Sequence, residues 1–356
     1  MKKINIVLFG VGNVGSTFIS QILSAEQQFA KGGLEINIPV IANSRSVLIR
    51  KRSIGTSWKE DLLTFGVPHD LDLIFQHVRE REYENLVAID ATASDSFVQN
   101  YPLLVRKGFH IIAANKVANT LSSEFYSELR ETLKEHQKLF FYETNVGAGL
   151  PIIETLNSLH RSGERIRKVR GVFSGSMSYI FNTFSSEDRP FSSVLAEAQA
   201  KGFTEPDPRT DLSGKDVARK LLILARELSL KKELSEIRIQ DLVPRHLNGG
   251  STIEEFLWNQ QDLDPEFREL KENLKEDEVI RHVGELDLAS QALEVKLVTE
   301  KKASALGSLT NADSSFEIYT ESYGEEPLVI RGAGAGASVT ARGLVADVIK
   351  LSERIF

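Results

Sequence analysis

The chain has 356 residues, enough for two domains, and its 41% hydrophobic and 26% charged residues are the balance of a globular protein that buries a core. A net charge of −7 without a basic block argues against nucleic acid and anionic membranes as partners, and no apolar run reaches the roughly 18 residues of a membrane span. Cysteine is absent, which excludes disulfides, thiolate metal sites and any cysteine nucleophile, including the thioester route of some aldehyde dehydrogenases.

The N-terminus, MKKINIVLFGVGNVG, starts like a secretory signal, but Gly10, Gly12 and Gly15 break the apolar run. The lack of a targeting segment points to the cytoplasm. A strand is predicted over 4–9, and Phe18, Ile19, Ile22 and Leu23 recur at helical spacing after the glycines. Gly10-Val11-Gly12-Asn13-Val14-Gly15 therefore stands between a strand and a helix, where glycines let a backbone approach a pyrophosphate at a helix N-terminus. The plainer reading is a glycine-rich turn without ligand.

The next strand is expected over 36–42. A site built for NAD places an acid at the end of this strand, on the ribose. Here Asn43-Ser44-Arg45 follow instead, and Glu35 lies ahead of the expected strand, at its other end. Ser44 and Arg45 suit a 2′-phosphate, so NADP(H) is preferred with NAD(H) possible. Residues 48–83 are charged and partly helical, without clear chemistry. Strands over 86–90 and 109–113 end in Asp90-Ala91-Thr92 and Ala114-Asn115-Lys116, which puts Thr92 and Lys116 at the cofactor crevice of a doubly wound sheet. A helix over 122–137 and a strand over 139–144 lead to Asn145-Val146-Gly147-Ala148-Gly149-Leu150-Pro151, a backbone-shaped loop whose carbonyls suit a hard cation. This alternation implies a Rossmann-type domain over 1–150.

From 151 to 330 the pattern changes to strands mixed with helices, an α+β domain with an open sheet. A strand over 169–173 runs into Ser174-Gly175-Ser176, and strand-like runs follow at 279–288, 293–299 and 315–323. Near the end, Gly332-Ala333-Gly334-Ala335-Gly336 precedes a helix over 338–351. That segment, 331–356, is expected to return to the first domain, with Gly336 either touching the cofactor or serving close packing.

Residues 202–220, GFTEPDPRTDLSGKDVARK, carry the densest chemistry. Pro206 and Pro208 predict an extended loop bearing Glu205, Asp207, Arg209 and Asp211. Ser213 reads as a helix N-cap with Asp216 three residues on, and Val217, Leu221, Leu224 and Leu228 form an apolar stripe. Asp216 and Lys220 lie one turn apart beside that stripe, candidates for a half-buried pair at a pocket mouth. Desolvation there can lower a lysine's pKa. The alternative is a solvated loop and an ordinary amphipathic helix. The seven histidines show no metal-ligand spacing.

That run resembles the signature of homoserine dehydrogenases. GVGNVG, Asn115-Lys116, YETNVGAGLP (142–151), FSGSMSYIFN (173–182) and GAGAGASVTARG (332–343) match the same family in order and spacing. The resemblance implies NAD(P)H-dependent interconversion of L-aspartate 4-semialdehyde and L-homoserine, in threonine, methionine and isoleucine biosynthesis. It implies Lys220 as proton donor, with Lys116 and Asp211 as further active-site residues. Glu205, Asp216, Gly175 and Ser176 would hold substrate, and Glu143, Val146, Ala148 and Leu150 a monovalent cation (Na or K). It also implies a homodimer through the 151–330 domain, in a short form without a regulatory ACT domain. Asn145 and Ser176 stand where the motifs often have Thr. Another amino-acid aldehyde reductase, or a non-catalytic cofactor sensor, are the alternatives.

Overall fold

The apolar run after Lys3 becomes β1 (Lys2–Phe9), fully buried from Ile4 onward, in the computed structural model, which describes residues 1–356. α1 (Asn13–Lys31), β2 (Leu34–Ala42), β3 (Ser46–Ile49), α2 (Trp58–Phe65), β4 (Val67–Pro68), α3 (Leu71–Glu80) and β5 (Leu86–Asp90) follow. Then come α4 (Tyr101–Arg106), β6 (His110–Ala113), α5 (Ser123–Glu135) and β7 (Phe140–Phe141). The strands form one sheet in the order β4-β3-β2-β1-β5-β6-β7. β2, β1, β5, β6 and β7 run parallel, whereas β3 and β4 add on antiparallel at one end, with β4 at the edge. The chain leaves β1 in opposite directions toward β2 and β5, so their carboxyl ends flank a topological switch point.

Both faces of this sheet are covered, which is why its strands read as unbroken apolar runs. On one face Phe18, Ile19 and Ile22 of α1 pack with Leu344, Val345, Val348 and Leu351 of the final helix. On the other, Ile74, Tyr101, Leu104, Leu129 and Leu133 close the core. Two expectations need correction. Glu35 lies within β2, at its amino end, in an ion pair with Lys3 at 2.6 Å. Residues 139–144 hold only the two-residue β7 and the start of a 3-10 turn, Glu143–Asn145.

The second unit, Leu150–Ala335, holds α6 (Ile152–Arg161), β8 (Ile166–Val172), α7 (Gly175–Ser186), α8 (Phe191–Ala200), α9 (Arg209–Leu212) and α10 (Lys215–Glu227). It continues with β9 (Arg238–Ile239), α11 (Ile253–Trp258), α12 (Asp264–Glu272), β10 (Glu278–Asp287), β11 (Ala292–Lys301), β12 (Ser314–Thr320) and β13 (Leu328–Gly332). Its open sheet runs β13-β12-β8-β10-β11-β9 and is antiparallel except for β11 with β9. An aromatic core of Phe181, Phe184, Phe191 and Phe267 joins α7, α8 and α12, with Phe191 and Phe267 stacked at 3.6 Å. Last comes α13 (Ala337–Ile355), which belongs to the first unit with Met1–Gly149. Residues 331–335 stay with the second unit, because Gly332 and Arg331 still pair with Ser314 and Ser315 of β12.

Candidate active site

In the first unit, register aligns the strand ends. Phe9 pairs with both Ala42 and Asp90, and Asp90 with Ala113. Gly10, Ala91 and Ala114 therefore leave the sheet from one row, tied by Gly10 N–H to Ala42 O (2.8 Å), Ala91 N–H to Phe9 O (2.8 Å) and Ala114 N–H to Asp90 O (2.9 Å). The turn needs its glycines. Gly10 has φ +91°, and a Cβ there would meet the Ala91 carbonyl at 2.7 Å. A Cβ on Gly15 would overlap the Gly10 carbonyl. A Cβ on Gly12, by contrast, would meet nothing within 4 Å.

That gap opens at the start of α1, whose N-cap Gly12 supplies no side-chain cap and whose first turn holds no acid. N–H groups and a positive helix end facing open space fit a diphosphate. Val11 and Val14 are half-buried against the core below, and Asn13 is exposed. At the end of β2, Asn43 Oδ1 accepts from both Arg45 N–H and Ser46 N–H at 2.8 Å. This Asx turn holds Ser44 and Arg45 exposed at the carboxyl end of the strand.

Thr92 and Lys116 hang on one buried carboxylate. Asp90 accepts from Thr92 N–H (2.8 Å), the Tyr101 hydroxyl (2.7 Å) and Asn115 Nδ2 (3.1 Å). Burial pushes its pKa up, opposed by hydrogen bonds from the Thr92 side chain, Tyr101, Thr92 N–H and Asn115. Asn115 also donates to Ser94 O (3.0 Å), and its Oδ1 accepts from Val117 N–H (3.0 Å). That bond opens the 3-10 turn Val117–Asn119, which Lys116 caps.

The glycine loop after β7 rests on α13. Asp347 accepts from Glu143 N–H at 3.2 Å, and Lys350 lies 4.0 Å from the Glu143 carboxylate. Gly343 lets the loop nest against the helix, since a Cβ would come within 2.5 Å of Thr144 Cγ2 and 3.1 Å of Ala148 O. Gly147 and Ala148 both have positive φ (+78° and +53°), which turns the loop tightly here. Glu143, Val146 and Ala148 are buried, and Leu150 follows as the first residue of the second unit, its carbonyl accepting from Ile152 N–H at 2.9 Å. Gly336, with φ +114°, starts α13.

In the second unit the 202–220 run departs from its expected form. Pro208 does not hold it extended; it initiates the short α9, where a missing N–H costs nothing. Ser213 is the C-cap of α9, and α10 starts instead from Gly214 in the left-handed region (φ +65°). Arg209 grips Asp207 through three bonds of 2.8–3.1 Å and donates to Ser251 O at 2.9 Å, so this pair anchors the loop. Burial of the apolar stripe fixes α10 on β10. Gly284 of β10 admits Val217, Leu221 and Phe173, each of which a Cβ would meet at 2.9–3.1 Å.

This packing brings Lys220 to the start of α7. Its buried ammonium lies 2.8 Å from the half-exposed Asp216 carboxylate and donates to Phe173 O, also at 2.8 Å. Next to Phe173, the Ser176 hydroxyl donates to Asp211 Oδ1 at 2.6 Å, and Asp211 Oδ2 accepts from Glu205 N–H at 2.8 Å. Burial raises the Asp211 pKa, the bonds from Ser176 and Glu205 oppose it, and the charge of Asp216 adds to it. Gly175 packs with the Ala312 carbonyl 3.3 Å from where a Cβ would sit. Lys220, Asp216, Ser176, Asp211 and Glu205 thus converge, with the Glu205 side chain in solvent.

The sequence matches two family models: homoserine dehydrogenase over residues 151–349, and the homoserine dehydrogenase NAD-binding domain over 10–143. The chain belongs to the homoserine dehydrogenase family. It is 38% identical over 351 residues to a bifunctional aspartokinase/homoserine dehydrogenase of Haemophilus influenzae, covering 98% of this chain and 43% of that one. The chloroplastic bifunctional aspartokinase/homoserine dehydrogenase 1 of Zea mays is 40% identical over 350 residues, covering 97% of this chain and 38% of that protein. The chain thus spans less than half the length of the curated relatives it matches. A Candida auris crystal structure of unknown function superposes with a TM-score of 0.91 at 32% identity, covering 100% of this chain and 99% of the other.

As a homoserine dehydrogenase family member, the protein carries its sequence motifs at strand ends and helix starts, but three participants are not singled out by the sequence. The Phe173 carbonyl lies within FSGSMSYIFN but is backbone and carries no side-chain mark. Asp90 and Asp347 stand out only as single acids in the apolar stretches LVAID and GLVADVI.

Proposed function

We propose that the protein catalyses the NAD(P)H-dependent reduction of L-aspartate 4-semialdehyde to L-homoserine, and the reverse. The observation that carries this is the Lys220 ammonium, 2.8 Å from both Asp216 and the Phe173 carbonyl, within a cluster that also holds Asp211 and Ser176. When bound, the nicotinamide supplies the hydride that reaches the aldehyde carbon. Lys220 donates a hydrogen bond to the aldehyde oxygen as negative charge grows there, and then a proton, which solvent replaces. The substrate ammonium needs carboxylates, and Glu205 and Asp216 supply them. Asp211, tied to Ser176 and to Glu205 N–H, fixes the spacing of that pair, and Lys116 is a second cation for the substrate.

The gap above Gly12 and the bare first turn of α1 support the diphosphate of the cofactor there, with Thr92 toward the nicotinamide and Gly336 touching it through backbone. Exposed Arg45, on its Asx turn, supports NADP(H) over NAD(H). The paired positive-φ residues Gly147 and Ala148 support a sodium or potassium site of Glu143, Val146, Ala148 and Leu150 oxygens. A homodimer completes the reading and rests on the family alone.

Absorbance at 340 nm tests it, with L-homoserine and either NADP⁺ or NAD⁺, and L-serine and L-threonine as controls. Homoserine-dependent reduction is expected, faster with NADP⁺. A folded protein that binds NADPH yet reduces neither cofactor at alkaline pH would overturn the assignment.

A further inference from the structure

We propose that Asp90 is a positioning residue that sets Thr92 directly, and Lys116 through Asn115, for the nicotinamide half of the cofactor. This rests on the cofactor reading above. Three donors from three separate segments meet on this carboxylate: the loop after β5 (Thr92 N–H), α4 (the Tyr101 hydroxyl) and the loop after β6 (Asn115 Nδ2). All three are neutral, and Asp90 is 1% exposed. A buried charge answered only by neutral donors is costly, and a plain strand end would not need it. What it achieves is a rigid tie between two adjacent strand ends.

The tie extends one step further. Asn115 uses its amide on Asp90 and on Ser94 O, and its carbonyl on Val117 N–H. Rotating Asn115 would release the turn that Lys116 caps. The Asx turn at Ser44–Arg45 has its own supports and none of these bonds, and the glycine turn at Gly10–Gly15 shares none of them but packs Gly10 against Ala91 and Thr92. The relay's bonds therefore leave the Asx turn, at the adenosine end, untouched.

This predicts a split that general destabilisation would not give. NADPH and 2′,5′-ADP, which has the adenosine end and no nicotinamide, are titrated against wild type, Asp90→Asn and Asn115→Ala. Asp90→Asn, nearly the same shape, is expected to raise the NADPH Kd about tenfold or more, while the 2′,5′-ADP Kd stays within about twofold. Its kcat at saturating NADPH falls as well. Asn115→Ala cuts the relay in the middle and gives the same split should Asp90→Asn fail to fold. Equal weakening of both ligands, or no change in either, overturns the role. A wild-type protein that binds neither NADPH nor NADH overturns the cofactor reading, and this role with it.

Discussion

Under the proposed function, the two units meet the needs of their ligands by opposite means. The first works with backbone: glycines that clear space, N–H groups at the start of α1, and strand ends locked in one row. Its buried acid in that row, Asp90, is answered by neutral donors. The second works with charge: Lys220, Asp216, Asp211 and Glu205 stand on α9, α10 and the loop before them, and packing brings them to the start of α7. A large, constant ligand can be held by shape, whereas a small zwitterion offers little besides its charges. In the first unit a methyl group should do most harm, and in the second a lost charge.

The sharpest test of that contrast is Lys220→Ala, which should lower kcat by about 10²–10⁴ while substrate KM moves little. Steady-state rates at saturating NADPH decide it, and near-normal turnover would remove Lys220 from the chemistry. Next is Gly15→Ala. Its Cβ would overlap the Gly10 carbonyl, so NADPH affinity in a fluorescence titration should fall by about 100-fold with charge untouched. Asp211→Asn keeps the shape and removes the charge, and should raise the homoserine KM by about tenfold. Arg45→Ala should cost about tenfold in KM for NADPH and leave that for NADH unchanged.

The smallest effect concerns stability alone. His282 is buried, both ring nitrogens lack partners, and burial lowers its pKa from 6.5 to about 4. The folded state holds it neutral while the unfolded state takes a proton below pH 6.5, so stability is lost as pH falls from 6.5 toward 4. The slope is up to about 1.4 kcal/mol per pH unit. Melting temperatures at pH 7 and pH 5 should draw closer together in His282→Leu, with His110, also lowered to about 4, and His77, lowered by burial, still contributing.

Local features were legible in the sequence because they follow from a few neighbouring residues. GVGNVG sits where strand meets helix, and the Asp216–Lys220 spacing matches the observed ion pair. Competition between neighbours was not legible. Ser213 is a good N-cap residue, but Gly214 reaches the left-handed region freely, so the chain turns there and Ser213 closes α9 instead. Pro208 argues against a helix when it stands inside one and for a helix when it starts one. β3 and β4 are short strands of four and two residues with no alternation to mark them. Asp90 with Asn115, and Asp347 with Glu143, are partners 25 and 204 residues apart, and no window of sequence spans the second pair.

α13 has a consequence for how the protein is made. Its Leu344, Val345, Val348 and Leu351 complete one face of the cofactor-side core, yet all of Leu150–Ala335 is translated before them. On the ribosome the second unit can close first, while the earlier half of the first unit waits with Ile4, Ile6, Leu8, Phe18 and Ile19 uncovered. The first unit is thus completed after the second, and its core stays open until α13 has emerged.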